Sequence, residues 1–533
     1  MNIIRIEEVH LELDDKESKL RAKIVKILNL PEKDVLKFTI VKRNIDSRRR
    51  NILFVYSLDV EVKNAKRIRK WNKRHRVRIQ EPYIYKEGKA TSKPKKRIIV
   101  VGSGPCGLFA TLLLARAGLK PLLIERGRDV DSRIKDVDEF SKERKLNTQS
   151  NIQFGEGGAG TFSDGKLYTL INDPRSKYIF SQLIKAGAPK EIAWSGSPHI
   201  GTDKLREVVK NLRKIIIKNG GEVKFETCLT DLEIKDGKLE TAILNNEKKV
   251  PVEELILATG HSARDTFRML YEKKLKMSPK AFSIGLRIEH KAETINKSQY
   301  GDSHKHPKLG SAKYKLVQHL TDKRPVYTFC MCPGGYVMGA TSEENAIVSN
   351  GMSEFAQDGE NSNSALLVPI KAEDFDSDHP LAGLEFQQKW EEKAFIAGGS
   401  DYSAPVQLVG DFLENKPSKE IKSITPSYTP GIKPTSLESC LPDYVLESIR
   451  EAIPLLGKKI HGFANPEAVL TGVETRSSST VRLERNEKYE SNIEGVYPAG
   501  EGAGHAGGIV SSAIDGLTVA EAIIEKYGTK LHT

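Results

Sequence analysis

A chain of 533 residues, 38% apolar and 29% charged, can hold two to four domains with sizeable cores. Its five cysteines include no CxxC pair, which speaks against a disulfide scaffold, and no apolar run nears the roughly 20 residues of a membrane span. The net charge of +13 comes from the first 100 residues, where 28 Lys and Arg face 13 Asp and Glu. The N-terminus is charged and lacks the apolar core of a signal peptide, so a cytoplasmic protein without a membrane partner is expected.

Residues 1–90 read as a small basic α+β module of βαββ type. Ile3–Leu13 alternates like a strand, Glu17–Leu28 carries a helical apolar stripe, and Val35–Val41 and Ile52–Val62 read as further strands. The run from Lys42 to Arg50 is a candidate grip on a polyanion or, as the favoured reading, a solvated loop between strands. Lys63–Arg78 is dense in charge around Trp71, and a linker follows at Glu87–Lys96.

Arg97–Val101 is an apolar, β-branched run of the kind buried in parallel sheets. It meets Gly102-Ser103-Gly104-Pro105-Cys106-Gly107, a G-x-G-x-x-G turn, and then a helix over Leu108–Ala117. Gly102 permits the tight turn, Gly104 admits a pyrophosphate, and Gly107 lets helix and strand pack closely. The helix start offers unpaired N–H groups to phosphates. Glu125 closes the next strand, placed to accept ribose hydroxyls. Strand, turn, helix and acid together point to a dinucleotide.

Asn151–Leu167 is too glycine-rich for regular structure and suits a backbone that approaches a ligand. Residues 203–217 form an amphipathic helix, Gly221–Asp236 gives strand-like runs, and Val252–Gly260 is a strand closing on Ala-Thr-Gly. Between Lys280 and Gly457 short alternating runs suggest an antiparallel sheet, with helices near Leu384–Ala397 and Leu441–Ala452. Cys330 and Cys332 would point the same way from a strand, a spacing open to thiol redox chemistry, although two packed side chains is the favoured reading. A metal site is not expected. Gly495–Leu517 repeats the strand–glycine turn–helix pattern, with Glu501 at the strand end and His505 as a candidate general acid. No second G-x-G-x-x-G unit lies between residues 130 and 495, so a separate nicotinamide domain is not expected.

The motifs GSGPCG…IERG, GEGGAG, ILATG and YPAGEGAGHAGG resemble FAD-dependent dehydrogenases and reductases of the glutathione-reductase-like superfamily. Nearly end to end, the chain is similar to a bacterial family of uncharacterised FAD-dependent oxidoreductases, through RNIDSRRR, ATGHSARDTF, TFCMCPGGYV, SNGMS and GVETRSS. The resemblance implies a Rossmann-like α/β FAD fold at 91–275 and 456–533, interrupted by an antiparallel-sheet substrate domain at 276–455. It implies non-covalent FAD, with Gly102, Gly104, Pro105 and Gly107 at the pyrophosphate, Glu125 at the ribose and Arg126 by the adenine. Gly157 and Gly158 would face the flavin side, Thr259 and Gly260 the phosphate arm, and Glu501 and Gly502 the ribityl arm. Gly507, Gly508 and Ile509 would meet the pyrimidine edge. Hydride exchange with a small organic substrate is implied, with NAD(P)H as a transient donor or a protein as reductant. A second reading adds tRNA binding through the basic module.

Overall fold

Arg97–Val101 lies in the middle of a parallel sheet in the computed structural model, which describes residues 2–48, 51–63, 65, 68, 75–81, 83–169, 171–375 and 377–528. Leu122–Ile124 pairs on one side and Val252–Leu257 on the other. Glu222–Lys224 and Val496–Pro498 extend the sheet at its two ends. Because these strands run parallel, the turns after Val101, Leu257 and Pro498 all leave from one edge. A chain separation of almost 400 residues is closed that way. Beyond this core, Lys248–Pro251 continues into an antiparallel meander with Lys238–Leu244 and Leu229–Lys235.

Helix Pro105–Arg116 is apolar on every side, since it is covered by the sheet and by helix Ile509–Tyr527. Gly516 permits the crossing: a Cβ there would lie 2.2 Å from the Cys106 carbonyl oxygen.

The inserted region builds a second, seven-stranded sheet around the fully buried strands Asn361–Ile370 and Phe282–Lys291. Val326–Cys332 pairs beyond Asn361–Ile370, and Val469–Glu474 pairs on the far side of Phe282–Lys291. The expected boundary at 455/456 therefore falls short of a strand that belongs to this sheet. Helices Ala382–Gly398 and Asp443–Gly457 cover it, near the stretches read from the sequence. Asn361–Ile370 escaped that reading because its polar start, Asn-Ser-Asn-Ser, hides a strand buried on both faces.

The N-terminal module has the expected βαββ order, with Val35–Asp46, Leu53–Val62, Asn2–Glu12 and Arg78–Gln80 adjacent in that sequence. Lys42–Asp46 is strand rather than loop, because it continues pairing with Leu53–Ser57. Arg43 is not free for a polyanion. Its guanidinium sits 4.6 Å from the Trp194 ring and 5.2 Å from Phe54, and its backbone N–H donates to the Trp194 carbonyl at 2.8 Å. Arg48 pairs with Asp46. Arg49, Arg50 and Trp71 lie outside the described residues. Among the described residues no helix is long and apolar enough to cross a membrane.

Gly516→Val should destabilise the chain by about 1–3 kcal/mol, since a β-branched side chain forces the two helices apart. A lowered thermal unfolding midpoint with unchanged composition of secondary structure is the expected result. An unchanged midpoint would mean that the crossing is looser than 2.2 Å implies.

Candidate functional site

Three glycine turns meet in one cleft of about 1570 Å³, measured with its open mouth. Gly102, Gly104, Pro105, Gly158, Thr259, Gly260, Glu501, Gly507, Gly508 and Ile509 line it together, although they come from opposite ends of the chain. Two helix N-termini open on it, at Gly104–Pro105 and at Gly508–Ile509, and neither has a side-chain cap. The positive ends of both helices thus face the same space. A Cβ on Gly104 would meet only the Gly158 Cα, at 3.9 Å, and one on Gly260 or Gly507 would meet no protein atom within 4 Å. The room left at these positions fits a phosphate-bearing ligand.

Three glycines expected at the ligand serve packing instead. A Cβ on Gly107 would fall 1.8 Å from the Gly102 carbonyl oxygen, on Gly157 2.0 Å from Thr161 Oγ1, and on Gly502 2.5 Å from the Gly260 oxygen. None of the three lines the cleft.

Glu125 lines the cleft but is 5% exposed, and its oxygens are engaged by the protein. One accepts the Ser103 N–H at 2.8 Å and the Ser103 hydroxyl at 2.7 Å. The other accepts the N–H groups of Gly127 and Gly155, both at 3.0 Å. The roughly four lone-pair directions of a carboxylate are thereby filled. In this structure Glu125 organises the glycine turns, so the expected role at a ribose would require one of these donors to yield. Arg126 stands beside it, over the Phe154 ring at 4.5 Å and paired with Asp265 at 2.6 Å.

Arg133 was invisible to the sequence reading, being one charge on an amphipathic helix. It is fully buried, and its guanidinium donates to the carbonyls of Asn151, Ile152, Glu156 and Gly158 at 2.7–2.9 Å. Burial brings its pKa down to about 10, which leaves it charged at neutral pH. Those four bonds shape the glycine-rich loop whose freedom the sequence announced.

The second sheet and the segments beside it supply the opposite wall: Phe329, Cys330, Asn350, Glu474, Arg476 and Ser477. These residues lie in TFCMCPGGYV, SNGMS and GVETRSS, stretches that marked the family without indicating chemistry. Cys330 opens on the cleft, while Cys332 is completely buried behind it. Lys166, 17% exposed at its side chain, places Nζ 3.6 Å from Cys330 Sγ and 3.5 Å from Cys332 Sγ. Both sulfurs thus point one way, as their spacing implied. Glu501 is pushed up to about 7 by burial, offset by Lys280 and the Gly508 N–H, so near neutrality it exists in both protonation states. His505 does not line the cleft. It lines an adjoining recess, where its Nε2 is 2.9 Å from the Leu483 carbonyl oxygen.

Residues 95–134 match the model of an FAD binding domain, and residues 281–477 match one described as "FAD-dependent protein, C-terminal domain-like". Residues 3–61 match a domain of unknown function. A relative from Clostridium beijerinckii (strain ATCC 51743 / NCIMB 8052), named "Uncharacterized protein", is 50% identical over 528 residues, 98% of this chain and 99% of that one. The chain belongs to the family of this relative, a family of FAD-dependent proteins. Glycine oxidase from Bacillus cereus ATCC 14579 overlays with a TM-score of 0.35 at 11% identity, covering 82% of this chain and 96% of that one. L-Proline dehydrogenase from P. horikoshii gives 0.36 at 14% identity, with the same coverage. Such distant overlays add nothing to the topology described above.

Behind the family's GVETRSS stretch lies a buried ion network. Glu391, 0% exposed, accepts from Arg264 at 2.8 and 2.9 Å and from Arg476 at 2.7 and 3.0 Å. Glu343 joins both arginines, and Thr475 donates to Glu391 at 2.7 Å. Burial opposes the Glu391 charge, but Arg264 and Arg476 overcome it and hold the pKa at about 2. The same two cations, after burial itself, push His261 at the cleft down to about 3 and keep it neutral.

Glu391→Gln should cost about 3–5 kcal/mol, since it leaves two guanidiniums without their buried counter-charge. A depressed carboxyl pKa adds stability that is present above the unfolded value near 4.3 and lost as pH falls toward 2. Acid unfolding followed by circular dichroism should therefore show a shallower loss below pH 4.5 in the variant. Arg133→Met should lower the FAD content of the purified protein as well as its stability, because four loop carbonyls lose their donor.

Proposed function

We propose that this chain binds FAD non-covalently in the cleft and transfers hydride between the flavin and a small organic substrate held under the second sheet. The supporting observation is the convergence of two uncapped helix N-termini on one cleft, with ligand room at Gly104, Gly260 and Gly507. Bound FAD supplies a two-electron hydride centre. The protein's part is to bind, orient and exclude water. The positive start of helix Pro105–Arg116 would hold the pyrophosphate and that of helix Ile509–Tyr527 would favour negative charge on the ring. Arg126 and Thr259 would flank the adenosine half, and Phe329, Asn350 and Arg476 close the cleft from the other side.

A recess of about 1240 Å³ shares Phe329, Cys330, Gly507 and Gly508 with the cleft and carries Tyr168, Lys280 and Lys315. Its lysines favour a substrate with negative charge, and NAD(P)H would enter only transiently as donor. Glu501, with its pKa near 7, can hold or release a proton beside Lys280 at working pH.

The protein should purify yellow and release FAD, not FMN, on denaturation. Gly104→Val should abolish binding by filling the space left for the phosphates. Anaerobic mixing with NADH and NADPH should bleach the flavin, and a panel of anionic oxidants should restore it. Absence of any flavin after reconstitution with FAD would overturn the reading.

A further inference from the structure

Where the N-terminal module meets the body a second cleft opens, of about 1670 Å³ measured with its open mouth. All six residues from Arg43 to Arg48 line it, and they belong to RNIDSRRR, a stretch that carried the family resemblance without any chemistry attached. The body supplies the facing wall through Ser195–Ser197 and Phe355–Gln357. The two walls are tied by backbone pairing: the Arg43 N–H donates to the Trp194 carbonyl and the Gly196 N–H to the Arg43 carbonyl, both at 2.8 Å. This cleft shares no lining residue with the one proposed for FAD or with the recess beside that one.

Its charge is unbalanced. Of its two carboxylates, Asp46 is held by Arg48 at 2.7 and 2.8 Å, and Glu8 stands 3.5 Å from His10. Arg43 is stacked on Trp194 and Phe54 and lies 3.7 Å from Glu17. Two lysines are left. Lys308 donates only to carbonyls, those of Leu13 at 2.6 Å and Asp15 at 3.2 Å, and Lys313 reaches the Ser197 carbonyl at a stretched 3.4 Å. Neither forms an ion pair among the described residues. Desolvation by the cleft walls lowers the Lys313 pKa, against a smaller opposing pull from Asp164, although the side chain is open to the cleft itself. An ammonium so placed gains from an anion brought to it.

Neutral polar groups complete the lining. The side chains of Ser47, Gln299 and Tyr300 make no hydrogen bond among the described residues, and such convergent, unsatisfied groups are what a concave site uses to orient a ligand. The phenyl rings are not free to stack on a nucleobase. Lys204 Nζ stands 3.3 Å from the Phe355 centroid with the His199 ring at 5.4 Å, and Arg43 covers Phe54 at 5.2 Å. Two ammonium groups call for a dianion, and the hydroxyls and amide call for a hydroxylated body. Glu8 and Gln357, which also line the cleft, hold left-handed backbone at φ +57° and +52°, a strain that recurs at ligand clamps. Gln357 is kept there by donating to Asp164 at 2.7 Å and accepting from the Ser311 hydroxyl at 2.5 Å.

We propose that this cleft binds a small organic phosphate of the sugar-phosphate class, with the phosphate at Lys308 and Lys313 and the hydroxyls at Ser47, Gln299 and Tyr300. The site is separate from the FAD cleft and does not depend on it. The N-terminal module then serves as one jaw of a small-molecule site. A grip on a nucleic-acid backbone needs a row of open cations, and Arg43 and Arg48 are both engaged.

The test is isothermal titration calorimetry of ribose 5-phosphate, with ribose as the control, into the full-length protein saturated with FAD. Saturation keeps the phosphate-binding turns of the other cleft occupied. A single equivalent of ribose 5-phosphate should bind with a dissociation constant of about 1 mM or below, and ribose should give no saturable heat. Lys313→Gln should weaken binding by about tenfold or more, since it removes a charge-assisted hydrogen bond, and Lys313→Arg should keep most of it. Lys313 is exposed and lines neither the FAD cleft nor its recess, so both variants should keep the thermal unfolding midpoint and flavin content of the unmodified chain. No saturable binding of ribose 5-phosphate, equal binding of ribose, or an unchanged affinity in Lys313→Gln would overturn the proposal.

Discussion

The cleft depends on two buried charges that hold its glycine loops in place. Glu125 gathers donors from Ser103, Gly127 and Gly155, and so ties together the first turn, the end of the next strand and the loop that follows. Arg133 binds the same loop from behind through four carbonyls. Ordering such a segment costs about 1–2 kcal/mol per residue, and more for glycine. Charge-assisted hydrogen bonds in a low-dielectric interior are strong enough to offset that cost. The result is a loop with little freedom to wander, whose Gly158, Gly160 and Gly165 bring bare backbone to the cleft.

The opposite wall is held by the same kind of chemistry. Arg287–Glu474 fixes one end of strand Val469–Glu474, and the Arg264–Glu391–Arg476 network fixes the turn that follows. Replacing such pairs with apolar groups often leaves stability little changed, so their contribution lies elsewhere. Here they aim Arg476 and Ser477 into the cleft and keep the second sheet seated over the first. An apolar interface could bury as much surface without specifying that orientation.

The N-terminal module is bound to the rest at several places among the described residues, two of them at its strands or their ends. Arg43 docks on Trp194, and Lys308 Nζ donates to the Leu13 carbonyl at 2.6 Å while Leu309 enters the module's own core. Part of the module's positive charge is thus consumed in holding it against the flavoprotein body, as Arg43 illustrates.

Residues 97–125 were readable because their pattern is local: a buried strand, a turn only glycine can make, a helix and an acid follow within 30 residues. The final strand, turn and helix at 496–527 were legible for the same reason, and so was the alternation of the N-terminal strands. Sequence alone therefore determined the nucleotide fold, its cofactor class and most of the glycines that line the cleft. It did not separate Gly158 from Gly157, or Gly507 from Gly502, since a glycine that lines a cleft and one pressed against its own protein look alike until their neighbours are known. Nor did it join Lys166 to a pair of cysteines 164 and 166 residues away, or Arg133 to the loop it holds. Only the tertiary structure decided those pairings. Strand register and the stacking of one sheet over another set which side chains share a buried space, and neither leaves a periodic trace in the chain.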